Sequence, residues 1–349
     1  MIRLFEPVIT KAHEEAAVHA LRSEKFIDGE STYKFKTALQ MKFGRKYCSL
    51  CNSGTSALSI AIRAAIICHY IASKSKIFTT PLSFISTATA ITMSGCTPVF
   101  RDVDEYGMMT PSYKDGVHIP VALYGKRYPY IDECKGVVIE DDAQAHGTHN
   151  LNTLANCFSF YTTKNLTVCG NGGAILTDDE KFHKVIESLI NNGRVPGKNY
   201  EHQYVSSSYR INNINAALGM VNLKLLHDQI TQRRFFAATY NSTLMDLPQV
   251  QIISEPVHDH TFHLYVIKVH KKLRDDLRNY LYQHKIETGV HYPYLIYQQQ
   301  PYLSFAKKLP KAEKMVKEII SLPMHNKLTF DDVMYVANTI RSFFGYEKI

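Results

Sequence analysis

The strongest constraint on the fold is a strand–helix–strand pattern at residues 76–104. These residues, KIFTTPLSFISTATAITMSGCTPVFRDVD, read as a strand, a turn, a helix and a second strand. A crossover of this kind pairs its two strands in parallel, so the pattern predicts an α/β domain with a parallel sheet. Pro81 and Ser83 mark the strand-to-helix turn. Ligands of open α/β sheets bind at such carboxyl ends of strands, so we expect a ligand site beside this turn.

Two later segments place a lysine and a carboxylate at the ends of apolar runs. Residues 157–178, CFSFYTTKNLTVCGNGGAILTD, hold Lys164 in a polar turn followed by a glycine-rich loop and a second apolar run. Residues 136–147, GVVIEDDAQAHG, end an apolar run in three acidic residues, of which Asp141 is the middle one. Taken alone, Lys164 reads as a surface lysine. Together the two segments indicate a pyridoxal-phosphate enzyme, in which a lysine binds the aldehyde and a carboxylate holds the pyridine nitrogen protonated.

Small residues at the start of a helix indicate an anion site. The run Ser53-Gly54-Thr55-Ser56 precedes an apolar helical stretch. Free backbone N–H groups and hydroxyls at a helix N-terminus bind phosphate, although an ordinary helix cap explains the same residues equally well.

Composition indicates a soluble intracellular chain, and we expect a cytoplasmic protein. The N-terminus lacks a signal-peptide core, and the most apolar stretch, residues 57–72, is too short and too polar to span a bilayer. The net charge of +8 comes without a nucleic-acid motif, so we expect no nucleic-acid partner.

Cysteine and histidine spacing argues against a metal site. Seven cysteines are an odd number, which favours reduced thiols over a disulfide framework. Cys48 and Cys51 form a single CxxC with no second ligand pair, and the sixteen histidines lack ligand spacing.

We expect a further strand at 118–123, before the two catalytic segments. The last third of the chain predicts a smaller α/β unit. After a long helix at about 212–240, we expect strands at 250–254 and 261–269 and helices at 272–284, 312–321 and 329–344.

The two catalytic segments resemble the EDxAQAxG and SFxxxKxxxxGxGG runs of the DegT/DnrJ/StrS family of pyridoxal-phosphate-dependent sugar aminotransferases. The resemblance runs from about Phe5 to Phe344 and includes five separated motifs in the family's order. It implies the aspartate-aminotransferase-like fold, called fold type I. That fold has a large domain with a mostly parallel seven-stranded sheet flanked by helices, here residues 1–228. A smaller C-terminal α/β domain follows at 229–349.

The resemblance also implies residue roles. Lys164 and Asp141 are the catalytic pair, and Ser208 would reach the cofactor phosphate of a partner subunit in a homodimer. The other implied cofactor contacts are Gly54, Thr55, Ser56, Phe84, Gln144 and Ser159. Three residues, Arg210, His291 and Tyr292, are candidates for the substrate cleft.

By the same resemblance, the chain moves an amino group from L-glutamate to a nucleotide-diphosphate keto-deoxysugar. The favoured acceptor is a 4-keto-6-deoxyhexose, which gives a 4-amino sugar for surface glycans. A 3-keto sugar is the alternative. A dehydratase of the same fold would carry histidine at position 164. A non-catalytic regulatory relative also stays open, because Ala122, Asn171 and Ser208 depart from the family's histidine, glutamate and asparagine.

Overall fold

The computed structural model describes residues 1–112, 114–254 and 258–349. The strands are β1 Tyr47–Cys51, β2 Lys76–Thr79, β3 Thr97–Phe100, β4 Gly116–Ile119, β5 Gly136–Asp141, β6 Ala155–Ser159, β7 Gly173–Thr177, β8 Val250–Ile252, β9 Tyr265–Val269 and β10 Ile319–Leu322. The helices are α1 Lys11–Ser23, α2 Glu30–Phe43, α3 Gly54–Ile67, α4 Ser86–Met93, α5 Glu180–Ile190, α6 Asn213–Leu244, α7 Arg274–Gln283, α8 Pro310–Met315 and α9 Phe330–Phe343.

A seven-stranded sheet in the order β1-β7-β6-β5-β4-β2-β3 forms the larger part of the molecule. The strands from β6 through β3 pair in parallel, whereas β7 is antiparallel to both of its neighbours. Strands β2 and β3 pair in parallel with Lys76 opposite Thr97, as the βαβ pattern predicts. The predicted mostly parallel seven-stranded sheet is confirmed.

Helices cover both faces of this sheet. On one face the apolar helix α3 packs with α5 against the strands, and eight of its residues are buried. On the other face Phe35 of α2 and Phe160 lie 5.3 Å apart between ring centroids, beside residues of α6. Burial on both faces explains why the central strands read as nearly continuous apolar runs rather than alternating ones.

The C-terminal part contains a three-stranded antiparallel sheet in the order β10-β9-β8. The helix predicted at 312–321 is wrong beyond Met315, because Ile319–Leu322 form β10 and pair with β9. Ile319 and Ile320 are β-branched and fully buried, and their pairing with β9 overrides the local helical pattern. The strand predicted at 118–123 is also too long, since β4 ends at Ile119.

The first residues of the chain pack on the C-terminal part rather than on the large sheet. Ile2 forms a parallel bridge with Ile286, and the Leu4 amide donates to Glu287 Oε2 at 3.1 Å. Helix α6 runs without interruption through 228 and 229. The predicted boundary at this position therefore falls inside a helix, and the division into two domains stays a prediction.

Cys48 and Cys51 lie buried on β1, and burial raises the pKa of the Cys51 thiol to about 12. The described residues contain no cluster of three or more histidine, cysteine or acidic side chains that could hold a metal ion. Within the same residues, no helix combines the length and apolarity needed to cross a bilayer.

Candidate active site

A cleft of about 580 Å³ lies where the carboxyl ends of the large sheet's strands meet the N-terminal and C-terminal segments. Its walls include Phe5 from the N-terminal segment and His263 from the C-terminal part. The cleft brings together most of the residues singled out from the sequence, namely Gly54, Thr55, Phe84, Asp141, Gln144, Ser159, Lys164, His291 and Tyr292.

Three other residues that were singled out from the sequence, Ser56, Ser208 and Arg210, do not line the cleft of their own chain. The Ser56 hydroxyl donates to Asn52 Oδ1 at 2.8 Å, within the cap of α3. Ser208 is exposed on a short bridge with Asn191, and Arg210 Nη1 lies 3.5 Å from Asp28 Oδ2. The contact of Ser208 with a partner's phosphate stays a prediction.

Lys164 occupies the turn after β6, where its amide donates to the Tyr161 carbonyl at 2.9 Å. Desolvation lowers the pKa of its ammonium from 10.5 to about 8, while the charge of Asp141 opposes that shift. The neutral amine is therefore a minor fraction near neutral pH, but a far larger one than at the ordinary lysine pKa of 10.5. A neutral amine is the form that attacks an aldehyde and accepts a proton.

Asp141 ends β5 with only 4% of its surface exposed. Its Oδ2 accepts from Thr87 Oγ1 at 2.8 Å, and its Oδ1 accepts from the Ala143 amide at 3.2 Å. Burial raises the pKa of this carboxyl, while the two hydrogen bonds and the Lys164 charge act in the opposite direction. A protonated ring nitrogen placed beside it would supply a counter-charge and favour the carboxylate.

Asp142 points to the other side of β5, as strand alternation predicts. It is fully buried outside the cleft, where its Oδ2 accepts from Asn156 Nδ2 at 2.8 Å. Asp141 therefore enters the cleft without its neighbour.

The N-terminus of α3 forms a cradle for an anion. Ser53 caps the helix by accepting from the Ser56 amide at 3.1 Å. A Cβ at Gly54 would lie 2.6 Å from Ser159 Cβ, so the glycine lets the two loops approach. Thr55 Oγ1 donates to Ser86 Oγ at 2.8 Å beside them. Backbone amides and hydroxyls converge here as a phosphate requires.

Two aromatic rings border the cleft. Phe84, in the turn between β2 and α4, is 57% exposed, and its ring centroid lies 6.0 Å from that of Tyr292. The exposed flat face of Phe84 suits stacking on an aromatic ligand.

Tyr124 connects the two sides of the cleft, a role that the sequence does not reveal. Its amide donates to Gln144 Oε1 at 2.7 Å, its hydroxyl donates to the His291 carbonyl at 2.7 Å, and its carbonyl accepts from the Leu264 amide at 3.1 Å. The Gln144 amide group also donates to the Tyr292 hydroxyl at 3.2 Å. In the sequence, the only sign of a special position here is the Tyr124-Gly125 pair directly after an apolar run, and it does not indicate these contacts. Thr87 carried no comparable signal.

The parts of the cleft fit pyridoxal phosphate. Lys164 would hold the aldehyde, Asp141 the ring nitrogen, the α3 cradle the phosphate, and Phe84 a face of the ring. Each of these is a donor or surface of the chemical type that the corresponding part of the cofactor needs.

The profile of the DegT/DnrJ/EryC1/StrS aminotransferase family matches residues 7–341. A pleiotropic regulatory protein of Geobacillus stearothermophilus is 32% identical, with 93% of this chain and 92% of that protein covered. The UDP-4-amino-4,6-dideoxy-N-acetyl-beta-L-altrosamine transaminase of Helicobacter pylori is 28% identical, with 99% and 98% covered. The UDP-2-acetamido-2-deoxy-3-oxo-D-glucuronate aminotransferase of Pseudomonas aeruginosa is 29% identical, with 87% and 88% covered.

Among solved structures, the Helicobacter pylori aminotransferase PseC, involved in pseudaminic acid biosynthesis, superposes with a TM-score of 0.88. It is 27% identical, and the match covers 98% of both chains. From the cleft, the family match and this superposition, the chain belongs to the DegT/DnrJ/EryC1/StrS aminotransferase family and is a pyridoxal-phosphate-dependent aminotransferase.

Proposed function

We propose that this protein transfers the amino group of L-glutamate to a nucleotide-linked 4-keto-6-deoxyhexose, giving a 4-amino sugar for surface glycans. The observation that carries the transaminase chemistry is the placement of Lys164 and Asp141 in one cleft beside an anion cradle. The 4-keto acceptor is supported by the Helicobacter pylori transaminase, whose name specifies a 4-amino-4,6-dideoxy sugar and whose match covers 99% of this chain.

A 3-keto sugar is the second candidate, because the name of the Pseudomonas aeruginosa relative specifies a 3-oxo sugar at a similar identity of 29%. The regulatory protein of Geobacillus stearothermophilus does not displace the enzymatic function, since Lys164, Asp141 and Gln144 all line the cleft here.

The cofactor and the two catalytic residues of the cleft have different roles in the reaction. Bound pyridoxal phosphate supplies the aldehyde that receives the amino group and the ring that accepts electrons. The Lys164 amine takes the proton from the α-carbon of the donor and later returns a proton to the carbon of the acceptor. Asp141 holds a proton on the ring nitrogen, and its bonds from Thr87 and Ala143 fix its orientation.

A visible spectrum of the purified protein with pyridoxal phosphate tests the function. We expect a cofactor absorbance band that L-glutamate bleaches and that one sugar of a nucleotide keto-sugar panel restores, with mass spectrometry identifying the amino sugar. Restoration by 3-keto sugars alone would favour the second candidate, and the absence of any cofactor band would contradict the proposal.

The Lys164→Ala variant should lose at least about 10³-fold in turnover, because it lacks both the covalent anchor and the proton-transfer group. The far-ultraviolet circular dichroism spectrum should stay unchanged. Normal activity in this variant would refute the role given to Lys164.

We also propose a homodimer in which Ser208 contacts the cofactor phosphate of the partner subunit. The exposure of Ser208 outside its own cleft is compatible with this arrangement. Mixing Lys164→Ala chains with Ser208→Ala chains tests it. The hybrid dimers should contain one complete site and regain cofactor affinity, whereas no regain would mean that each cleft is built by one chain.

A further inference from the structure

His263 lines the cleft but has no assigned role in it. Its side chain is only 8% exposed, and it borders the same cavity as Lys164. Its buried Nδ1 has no hydrogen-bond partner, and no hydrogen bond connects either ring nitrogen to another described residue. Because Nδ1 is enclosed, a ligand in the cleft would pair with the ring through Nε2, and an unpaired buried ring favours such a partner.

The wall that carries His263 holds a buried positive charge whose hydrogen bonds all go to uncharged oxygens. Arg233, only 3% exposed, donates to the Phe262 carbonyl at 3.0 Å and to the Met324 carbonyl at 2.9 Å. Its Nε donates to the uncharged amide oxygen of Asn326 at 3.0 Å. No ion pair joins Arg233 to any acidic side chain within the described ranges. The charge of Arg233 therefore acts on His263 from behind the cleft wall, and Asp141 is the carboxylate that lines the cleft itself.

The basic groups that act on His263 are Lys164, Arg233, His291 and His146, of which the two histidines are themselves neutral near pH 7 because burial lowers their pKa values to about 4 and about 3. Asp141 is the carboxylate that borders the same cleft. Burial, followed by the charges of the basic groups, lowers the pKa of His263 well below 6.5, so its ring is neutral in the free protein at neutral pH. His146 is enclosed between Phe158 and Phe160 and is fully buried outside the cleft.

We propose that His263 binds a carboxylate of the amino donor and takes up one proton from solvent when the carboxylate arrives. This inference rests on the proposed function, because it assigns a subsite to the donor of that reaction. The neutral ring becomes a charged hydrogen-bond donor, and the incoming anion pairs with it.

The position of His263 favours a carboxylate over the diphosphate of a nucleotide sugar. The α-carboxylate of an amino acid is attached to the carbon that bears the amine, so it must lie close to Lys164. The diphosphate is attached to the anomeric carbon, away from the ketone carbon of the acceptor sugar. His263 borders the cleft with Lys164, whose charge acts on it, so it lies where the donor carboxylate has to be close.

Proton uptake by His263 gives donor binding a pH dependence. A bound carboxylate raises the pKa of His263, so binding is coupled to proton uptake and tightens as the pH falls. With one proton taken up, affinity rises by up to about tenfold per pH unit within the window between the two pKa values. In the cofactor-loaded protein the Lys164 nitrogen would be bound to the aldehyde, so the comparison with His263→Gln is what separates a histidine response, expected from about pH 5 to 7, from any other proton uptake.

Calorimetric titration of the cofactor-loaded protein with glutarate tests this subsite. Glutarate is a dicarboxylate without amine or ketone, so it binds without reacting. Two buffers with different ionisation enthalpies give the number of protons taken up per ligand. We expect close to one proton in the native protein and close to none in His263→Gln.

The matched control is His118→Gln. His118 is another buried histidine with an unpaired Nδ1, but it lies on β4 and its Nε2 bonds the Lys135 carbonyl at 2.9 Å. This variant should keep the proton uptake of the native protein. Equal uptake in the native protein and in His263→Gln would overturn the proposal, as would His263-dependent uptake with pyrophosphate but not with glutarate.

A measurement on the native protein covers the case in which His263→Gln does not fold. Nuclear magnetic resonance of the histidine imidazole C–H groups should show one histidine whose pKa rises on addition of glutarate, and no such rise would overturn the inference.

The failure of this subsite can be told apart from the failure of the proposed function. A protein that binds the cofactor and exchanges its amine with glutamate, yet takes up no proton with glutarate, refutes this subsite alone. A protein that binds no cofactor refutes the proposed function instead.

Discussion

Two effects act on the pKa of Lys164: desolvation lowers it, and the charge of the cleft carboxylate Asp141 raises it. Desolvation is the larger effect and lowers the lysine pKa to about 8. The same surroundings raise the pKa of Asp141, so both groups are pushed toward their neutral forms before a cationic ring arrives. The charged ring of the cofactor would then stabilise the ionised form of Asp141, as the counter-charge that the empty cleft lacks.

This arrangement has a measurable pH dependence. The rate at which cofactor-free protein captures pyridoxal phosphate should rise through about pH 8, because only the neutral amine reacts. In Asp141→Asn the midpoint should move lower, since the charge that raises the lysine pKa is removed. Stopped-flow absorbance at a series of pH values gives both midpoints. A midpoint near the ordinary lysine value of 10.5 would contradict the burial argument.

Among the elements, the contact between α3 and the end of β6 sets the width of the anion cradle. In Gly54→Ala the new methyl group would lie 2.6 Å from Ser159 Cβ, so the loops must separate. We expect cofactor affinity to fall by about tenfold or more, the equivalent of roughly 1.4 kcal/mol, while helix stability is retained because alanine favours helices. Equilibrium absorbance titration with the cofactor measures the change.

The double variant Gly54→Ala/Ser159→Gly provides the control. Removing the Ser159 side chain clears the space that the new methyl group needs, so the two substitutions should couple rather than add. Additive losses would mean that Gly54 acts through its backbone conformation instead of through this contact.

Two further carboxylates, at the end of β5 and directly after it, lie away from the cleft. Glu140 and Asp142 both accept from Asn156 Nδ2, at 3.2 and 2.8 Å. Burial raises the pKa of Glu140 to about 7 and that of Asp142 well above its ordinary 3.8. Since the folded state holds these protons more tightly than the unfolded chain, their contribution to stability is complete at low pH and is lost as the pH rises through about 7.

In Asp142→Asn, an uncharged amide replaces the protonated carboxyl. The free energy of unfolding should therefore fall less between about pH 5 and 8 than in the native protein, by on the order of 1 to 2 kcal/mol. Urea unfolding at both pH values measures this, with the exposed Asp276→Asn on α7 as the control. An unchanged pH dependence would mean that Asp142 is ionised in the fold.

Some elements of the fold could be predicted from the local sequence pattern, and others could not. The βαβ unit, the α3 N-terminus and the acidic end of β5 were predictable, because each depends on apolar periodicity and nearby turn residues. Strand β10 was not, since Ile319–Leu322 extend only because β9 lies alongside them. Of the site, Lys164 and Asp141 were predictable from their motifs, whereas Thr87 and Tyr124 act through contacts 54 and 167 residues distant in sequence.

At the scale of the molecule, Tyr124 joins the large sheet to the C-terminal wall of the cleft. Tyr124→Phe should leave the His291 carbonyl without its donor, at a cost of about 1 to 3 kcal/mol. We expect the KM of a substrate to rise by about tenfold with a smaller change in kcat, because the wall is displaced while Lys164 stays in place.

Tyr128→Phe is the matched control, since Tyr128 is also fully buried and its hydroxyl donates to the Met109 carbonyl at 2.9 Å, outside the cleft. Steady-state kinetics of the two variants separates loss of a buried hydrogen bond from loss of the connection across the cleft. Equal effects of both substitutions on KM would contradict the role given to Tyr124.

The hydrogen bond between Leu4 and Glu287 has a consequence for synthesis on the ribosome. Its two partners are 283 residues apart, and Leu4 and Phe5 form part of the cleft wall. All strands of the large sheet lie before residue 178, so they emerge long before Glu287 does. A nascent chain can thus form its sheet early, but its cofactor cleft is completed only after the last third of the protein has left the ribosome.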